Sequence, residues 1–418
     1  MFRKYWTYCI CSVFIALFLL ISDSFAELKG IKSLKAYTNR DETSLPVIVY
    51  DDKGNDVLTI EFDLQADYEP SLSIVFRFCD KDWNPYNNLF LANIGQNVAR
   101  NLSFEPLPVT VQDAKYHFKG GFPDKDGHVD FPFSGKWRFY ITDSQDTSKV
   151  YATGKFVVVK AVMPIKVNIK NELLENKSYF PQDLARVFNI TTDFTLPDNL
   201  FPFNVEHVEI IENQKVDYAY RVERAATNND VRFYWWDGNK KFSFTSKEIR
   251  PGNEYRQTDL RNINIYSSRA VNAHFDGVET SRFYIEGKKD LDGGSILSRP
   301  KDPNAVYLDV TFRLRSPEDI RKKVFLVGAF NQWQILPEYE MANDNGLYTT
   351  TVNLKRGIYD YQYAIANMDE NRPSDIDWFS LEGNTWSTRN RYYIFVYYAD
   401  PDKGGYDRII GFTEVINK

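Results

Sequence analysis

The stretch Val324-Phe325-Leu326-Val327-Gly328-Ala329-Phe330-Asn331-Gln332-Trp333, followed by Asn345-Gly346-Leu347-Tyr348 and Lys355-Arg356-Gly357-Ile358-Tyr359-Asp360-Tyr361-Gln362-Tyr363, decides the fold class. An apolar strand runs into a turn that presents one Trp. A Gly turn then opens a strand in which Thr alternates with apolar residues. A second Gly turn opens a strand with Tyr at every other position, so Tyr359, Tyr361 and Tyr363 share one face and Asp360 and Gln362 the other. Short alternating strands punctuated by Gly turns are the pattern of a β-sandwich.

The same pattern extends toward the N-terminus. Val47–Tyr50 and Leu58–Phe62 flank an Asp52-Lys53-Gly54-Asn55 turn, a hairpin signal. Ser73–Phe78, Gly135–Ile141 and Lys155–Val159 read as further strands, and Met163-Pro164 marks a boundary because Pro interrupts strand pairing. Val205–Ile211, Val231–Trp236 and Ser281–Ile285 read as strands of a second unit, with a short helical turn near Asp183–Phe188. Asp292-Gly293-Gly294 through Pro303 is a turn-rich linker. The expectation is an all-β chain of three tandem immunoglobulin-like β-sandwich domains, spanning 27–162, 163–298 and 304–418.

The first residues read as an export signal. Arg3 and Lys4 precede an apolar run from Cys9 to Ile21, and Ser24-Phe25-Ala26 is a small-x-small cleavage site. The run is shorter than the roughly 20 residues of a membrane helix. The expected mature chain begins near Glu27, carries no membrane segment of its own, and is extracytoplasmic. The whole chain has formal charge -6; removing Arg3 and Lys4 with Asp23 leaves the mature chain near -7, which argues against nucleic acid as a partner. Cys9 and Cys11 lie in the signal, so Cys79 is left alone and forms no internal disulfide. Stability must come from buried area, and an aromatic content of 16% supplies wide side chains for it.

Catalytic patterns are not visible. His117, His128, His207 and His274 are dispersed, and no metal-ligand spacing, P-loop or nucleophile elbow occurs. No cofactor, metal or catalytic residue is assigned, and the chain is expected not to be an enzyme. Cys79-Asp80-Lys81-Asp82-Trp83 follows a strand and reads as a polar turn in which both Asp side chains bond the backbone and Trp83 packs on its sandwich. The alternative, a thiol beside a carboxylate pair, has no base near in sequence. Asp124-Lys125-Asp126-Gly127-His128-Val129-Asp130 has EF-hand-like acidic spacing without the closing Glu, and reads as a turn. Trp333 is the sharpest binding candidate, since a flat ring complements the C–H face of a pyranose; the alternative is a Trp closing the end of a core.

Two resemblances add to this reading. Over Val324–Val396 the chain resembles the glycogen-binding modules of starch enzymes and of a kinase subunit. Trp333, next to Asn331, stands where those modules carry their first stacking Trp, and Asn390 is the candidate for their late Asn. Gln362 replaces their Lys, and Trp378 lies in a longer loop than their second Trp.

The wider resemblance is to the type IX secretion system plug protein family. It is carried by Cys79–Trp83, Asn253-Glu254-Tyr255-Arg256, Asp259-Leu260-Arg261, Gly328–Trp333 and Lys355–Tyr361. Its most specific part is the end: Leu381-Glu382-Gly383-Asn384, Thr388-Arg389-Asn390, Tyr392–Tyr398 and Tyr406–Gly411. The first domain carries it only through the Cys-Asp motif. This resemblance implies a non-enzymatic periplasmic protein at the inner face of the outer membrane, capping the periplasmic opening of a large translocon β-barrel. The alternative function is a secreted or periplasmic carbohydrate-binding protein using the C-terminal sandwich. Trp333, Asn331, Gln362, Trp378, Asn390 and Trp83 are the candidate binding or interface residues.

Overall fold

The computed structural model describes residues 28–51, 54–92, 95–174, 182–224, 231–274, 277–282, 289–316 and 320–417. The export signal with Cys9 and Cys11, the Asp52-Lys53 half of the first turn and the Phe283–Ile285 part of one expected strand lie outside the described residues. No helix among the described residues is long and apolar enough to cross a membrane.

The all-β expectation holds. Six sheets stack as three pairs, each around its own core. In the N-terminal pair, Leu28–Thr38, Leu58–Ala66 and Tyr116–Phe122 form one layer. Val47–Asp51, Val150–Val159, Gly135–Asp143 and Leu72–Cys79 lie side by side in the other. Phe62, Phe76, Phe78 and Trp137, each at most 1% exposed, fill the space between. Burying each such side chain contributes roughly 1.5–3 kcal/mol or more.

The other two pairs are not in tandem. The middle pair has Ile165–Leu173, Arg186–Thr195, Lys241–Ile249 and Arg232–Trp236 in one layer. Its facing layer is ordered Tyr220–Glu223, Val205–Glu212, Arg391–Asp400, Tyr406–Ile416. The last two strands of the chain therefore belong to the middle sandwich. Between them and Ile249 the third sandwich is inserted, centred on Gly357–Asp369, which pairs with Arg256–Asp259, Ser295–Leu297 and Lys323–Gly328. Tyr307–Arg315 and Leu347–Lys355 make up most of its facing layer.

This corrects the boundaries 163–298 and 304–418. The run Asp292–Pro303 is turn-rich, as read, but it joins strands of one sandwich rather than two domains. The near-unbroken apolar run Tyr392–Tyr398 also has a physical account. Tyr392, Ile394, Val396 and Tyr398 point into the middle core, while Tyr393, Phe395 and Tyr397 point the other way into a cluster shared with the N-terminal sandwich. A strand buried on both faces loses its alternation. Near Asp183–Phe188 the expected helical turn is a single 3-10 turn, Gln182–Ala185, and the chain is already a strand from Arg186.

Candidate functional site

The chemistry-bearing motifs converge on the seams between sandwiches. At the first seam the strand Leu72–Cys79 ends in the turn Asp80–Trp83. Asp80 holds this turn by accepting the backbone N–H groups of Asp82 and Asn84, at 2.9 and 2.8 Å. Asp82 does not bond the backbone as expected; it accepts Arg221 Nη1 of the middle sandwich at 2.7 Å. That guanidinium holds the Asp82 carboxyl below the usual carboxylate range. Trp83 is buried, but against the neighbouring sandwich, beside Ile211, Phe395 and Tyr397.

Behind Trp83 lies a buried ion pair. Lys136 Nζ donates to Glu209 Oε1 at 2.8 Å and to the Lys81 carbonyl at 2.7 Å, with both side chains 2% exposed or less. Tyr397 Oη donates to the other Glu209 oxygen at 3.0 Å. His207 stacks on Tyr397 at 4.3 Å and has no hydrogen-bond partner on either ring nitrogen. Burial, followed by Arg221, Lys81 and Lys136, pushes the His207 imidazole down to about 2. Burial pushes the Cys79 thiol up to about 12, so it is not a nucleophile at neutral pH.

The second seam gathers most of the binding candidates. Trp333 is 1% exposed; its Nε1–H donates to the Gly293 carbonyl at 2.7 Å and its ring packs on Tyr255 at 4.3 Å. Asn331, also buried, accepts the Gly328 N–H and so shapes the turn that carries Trp333. Asn390 accepts from Asn213, which also donates to Tyr255, and donates to the Pro251 carbonyl at 2.6 Å. It thus stitches the point where the chain leaves and re-enters the middle sandwich. Gln362 is buried and reaches the Trp378 carbonyl at 3.4 Å, and the half-buried Trp378 meets Tyr218 edge-on at 5.0 Å.

These residues are together, as expected of a site, but no space is left between them. Tyr255, Trp333 and Trp378 surround Lys215, whose Nζ lies 4.8 to 5.8 Å from the three ring centres and 3.1 Å from Glu212. The cage is filled by the chain's own cation, and the crevice beside it holds about 10 Å³, at most one water. Trp333 is therefore not available to stack on a sugar, because its ring closes a seam. Sequence reasoning missed Lys215, Glu212 and Glu209. The signal was weak, since a charged residue flanking a strand normally points to solvent.

The third seam ties the outer two sandwiches. Asp63 accepts Lys355 Nζ at 2.7 Å and Tyr307 Oη at 2.8 Å, and lies 2.7 Å from His117 Nδ1. Burial alone would raise the Asp63 carboxyl, but His117 and Lys355 hold it low. Inside the third sandwich, Arg256 donates to Glu382 and Glu279, and the hydroxyls of Tyr361 and Tyr363 also end on Glu279. The Tyr ladder is packing, and its polar tips are satisfied. At the turn that begins with Asp124 its carboxylate accepts the Val129 N–H at 2.6 Å and lies 3.2 Å from His128 Nδ1, and the side chains of Asp124, Asp126 and His128 are close enough together to share one cation.

Residues 31–160 match the family model described as type 9 secretion system plug protein 1st domain. The match covers the N-terminal sandwich, the part in which the sequence motifs were sparsest, and it supports the plug family through that domain. A hypothetical protein from Parabacteroides merdae ATCC 43184, solved by crystallography, is similar over 94% of this chain and 99% of its own, at 21% identity and TM-score 0.74. That likeness is one of fold, and it extends through the inserted third sandwich. A 1.5-MDa bacterial ice-binding adhesin aligns at 11% identity with TM-score 0.14, too low to indicate a shared arrangement. No curated protein matches the chain.

What remains open to a partner is the outside. Leu89, Phe90, Phe201 and Phe203 are each 68% exposed or more. They flank one turn: Asn88 Nδ2 donates to the Lys403 carbonyl at 2.6 Å, and the Phe201 N–H donates to Tyr398 Oη at 3.1 Å. Exposed apolar side chains beside one turn are candidate anchors for a partner.

Proposed function

We propose that this protein is a periplasmic component of the type IX secretion system that caps the periplasmic opening of its outer-membrane translocon barrel. The match of residues 31–160 to the plug protein's first domain carries the reading. The seams support it physically. A wide pore leaks unless a stiff body covers it, and buried ion pairs and caged side chains at all three junctions tie the sandwiches together. A cap must also leave. The apolar end at Leu89, Phe90, Phe201 and Phe203 offers a small cluster of anchors, of the kind that dominates a moderate, reversible interface.

The test is to tag the protein at Lys418, solubilise native envelopes in mild detergent, and identify what co-purifies. A very large outer-membrane barrel in near-equal amount is expected. Recovery of the protein alone, under conditions that keep other envelope complexes whole, would overturn the proposal. Deleting the protein should also raise outer-membrane permeability to large hydrophilic solutes while secretion continues.

A further inference from the structure

The buried Trp333 closes one route to a glycan, but a different Trp stands open. Sheet register aligns Lys166, Asp193, Ser243 and Trp235 in one row across the four strands of the middle sandwich's outer layer. The next row is Asn168, Thr191, Thr245 and Phe233. Alternation sends the partners of these residues inward: Phe188, Phe194, Phe242 and Phe244 are buried in the middle core. The outer face therefore presents one aromatic pair, Trp235 and Phe233, at its edge, with hydroxyls, an amide and a carboxylate beside it.

Four features of this face point to a ligand. Trp235 is 57% exposed, more than any other Trp among the described residues. Among the described residues, its indole N–H and the side chains of Lys166, Lys170, Lys241 and Asp193 have no hydrogen-bond or ion-pair partner. A shallow open cleft of about 610 Å³ runs along the first row, lined by Lys166, Asp193, Thr195, Lys241, Ser243 and Trp235. The charge is also inverted: Lys166, Lys170, Lys241 and Lys247 stand against Asp193 and Glu172, a local net +2 on a chain of formal charge -6. Three interstrand spacings separate the ends of the row, about 14 Å, which is room for a short run of pyranose rings.

We infer that this face binds an acidic polysaccharide laid across the strands. The pyranose C–H face would stack on Trp235. Ser243, Thr195 and Asp193 would hydrogen-bond ring hydroxyls, and Lys166, Lys170 and Lys241 would pair with the carboxylates of uronic acid residues. The aromatic and the hydroxyl rows favour a glycan over an acidic polypeptide, which has no flat C–H face to offer a lone exposed Trp. In an envelope protein such a contact would hold the body near glycan while the apolar end is free. The inference does not rest on the barrel-capping proposal, because its site lies on a different sandwich from the matched domain and its test needs no translocon.

The test is affinity electrophoresis of the mature protein in gels containing polygalacturonate, neutral dextran or polyglutamate at low salt. Retardation by polygalacturonate and not by dextran is expected. Trp235→Ala should weaken it about tenfold. The pair Lys166→Glu and Lys170→Glu should abolish it, and added salt should weaken wild-type binding steeply. All three positions are on the surface, so folding is checked by an unchanged melting temperature. Three outcomes would overturn the inference: no retardation by polygalacturonate, retardation indifferent to Trp235→Ala, or equal retardation by polyglutamate, which would mark the face as a site for acidic polypeptide.

Discussion

The turns that present Trp83 and Trp333 are the same device built with different chemistry. Each follows an apolar strand and puts its Trp in the left-handed region, at φ 68 and 59°, but Trp83 is driven into the middle sandwich whereas Trp333 packs mainly on its own, against Tyr255, Phe325 and Val327. A bulky side chain rarely adopts that backbone region unaided, so the neighbour must hold it there. Around Trp83 the charges come from both sides of the seam: Lys136 of its own sandwich lies with Nζ 4.8 Å over the ring and pairs with Glu209 of the middle one. Around Trp333 its own sandwich supplies Tyr255 and the Gly293 carbonyl, and the middle one a caged Lys215 farther off, at 5.8 Å. The first seam is fixed by ion pairing, which is specific but costly to desolvate. The second is fixed mostly by ring packing, which tolerates less change of shape.

Four perturbations separate the two. Trp333→Ala should cost about 3–5 kcal/mol in urea unfolding, because it opens a cavity and leaves the Gly293 carbonyl unpaired; a loss under about 1 kcal/mol would mean that the second seam is not closed by this ring. Lys136→Met should cost about 2–4 kcal/mol by leaving Glu209 with Arg221, at 3.4 Å, as its one cationic partner, whereas the joint change Lys136→Met with Glu209→Leu should recover most of it. If the double variant is as weak as the single one, the charges themselves and not the burial of an under-paired anion hold the first seam.

The third perturbation is pH. His207 is neutral in the folded state down to about pH 2, while the unfolded ring takes up a proton below about 6.5. Its contribution is present above 6.5 and is lost as pH falls, by about 2 kcal/mol between pH 7 and pH 5. His207→Phe keeps the stack on Tyr397 and removes this titration, so its advantage over wild type should grow by that amount on acidification, read from paired unfolding curves. The smallest effect is expected from Asp82→Asn, at most about 1 kcal/mol and fading with added salt, because the side chain of Asp82 is 55% exposed.

The same contrast shows what the sequence could and could not tell. Strands were legible wherever apolar residues alternated between turns, and Val205–Glu212 and Arg232–Trp236 fall within a residue of their expected bounds. Which strands pair was not legible. Val205–Glu212 meets Arg391–Asp400 across the whole inserted sandwich, and nothing local marks so distant a partner. Burial of Trp83 was legible but its cover, the middle sandwich, was not, and Trp333, read as a sugar-stacking ring with closure of a core end as the alternative, is buried at a seam. At Phe233-Tyr234-Trp235-Trp236 both faces of the strand are aromatic, so alternation could not say which pair points outward.

The insertion of the third sandwich also sets an order of assembly. Val205–Glu212 is made early, yet its central neighbour Arg391–Asp400 follows only after the whole inserted sandwich. Until Arg391–Ile416 arrives, the middle sandwich has an open strand edge and half a core, and both it and the face meant for the N-terminal sandwich are exposed to chaperones and proteases. The end of the chain is thus a completeness check on the body. A chain cut before Arg391 keeps the strands of its third sandwich and loses its middle.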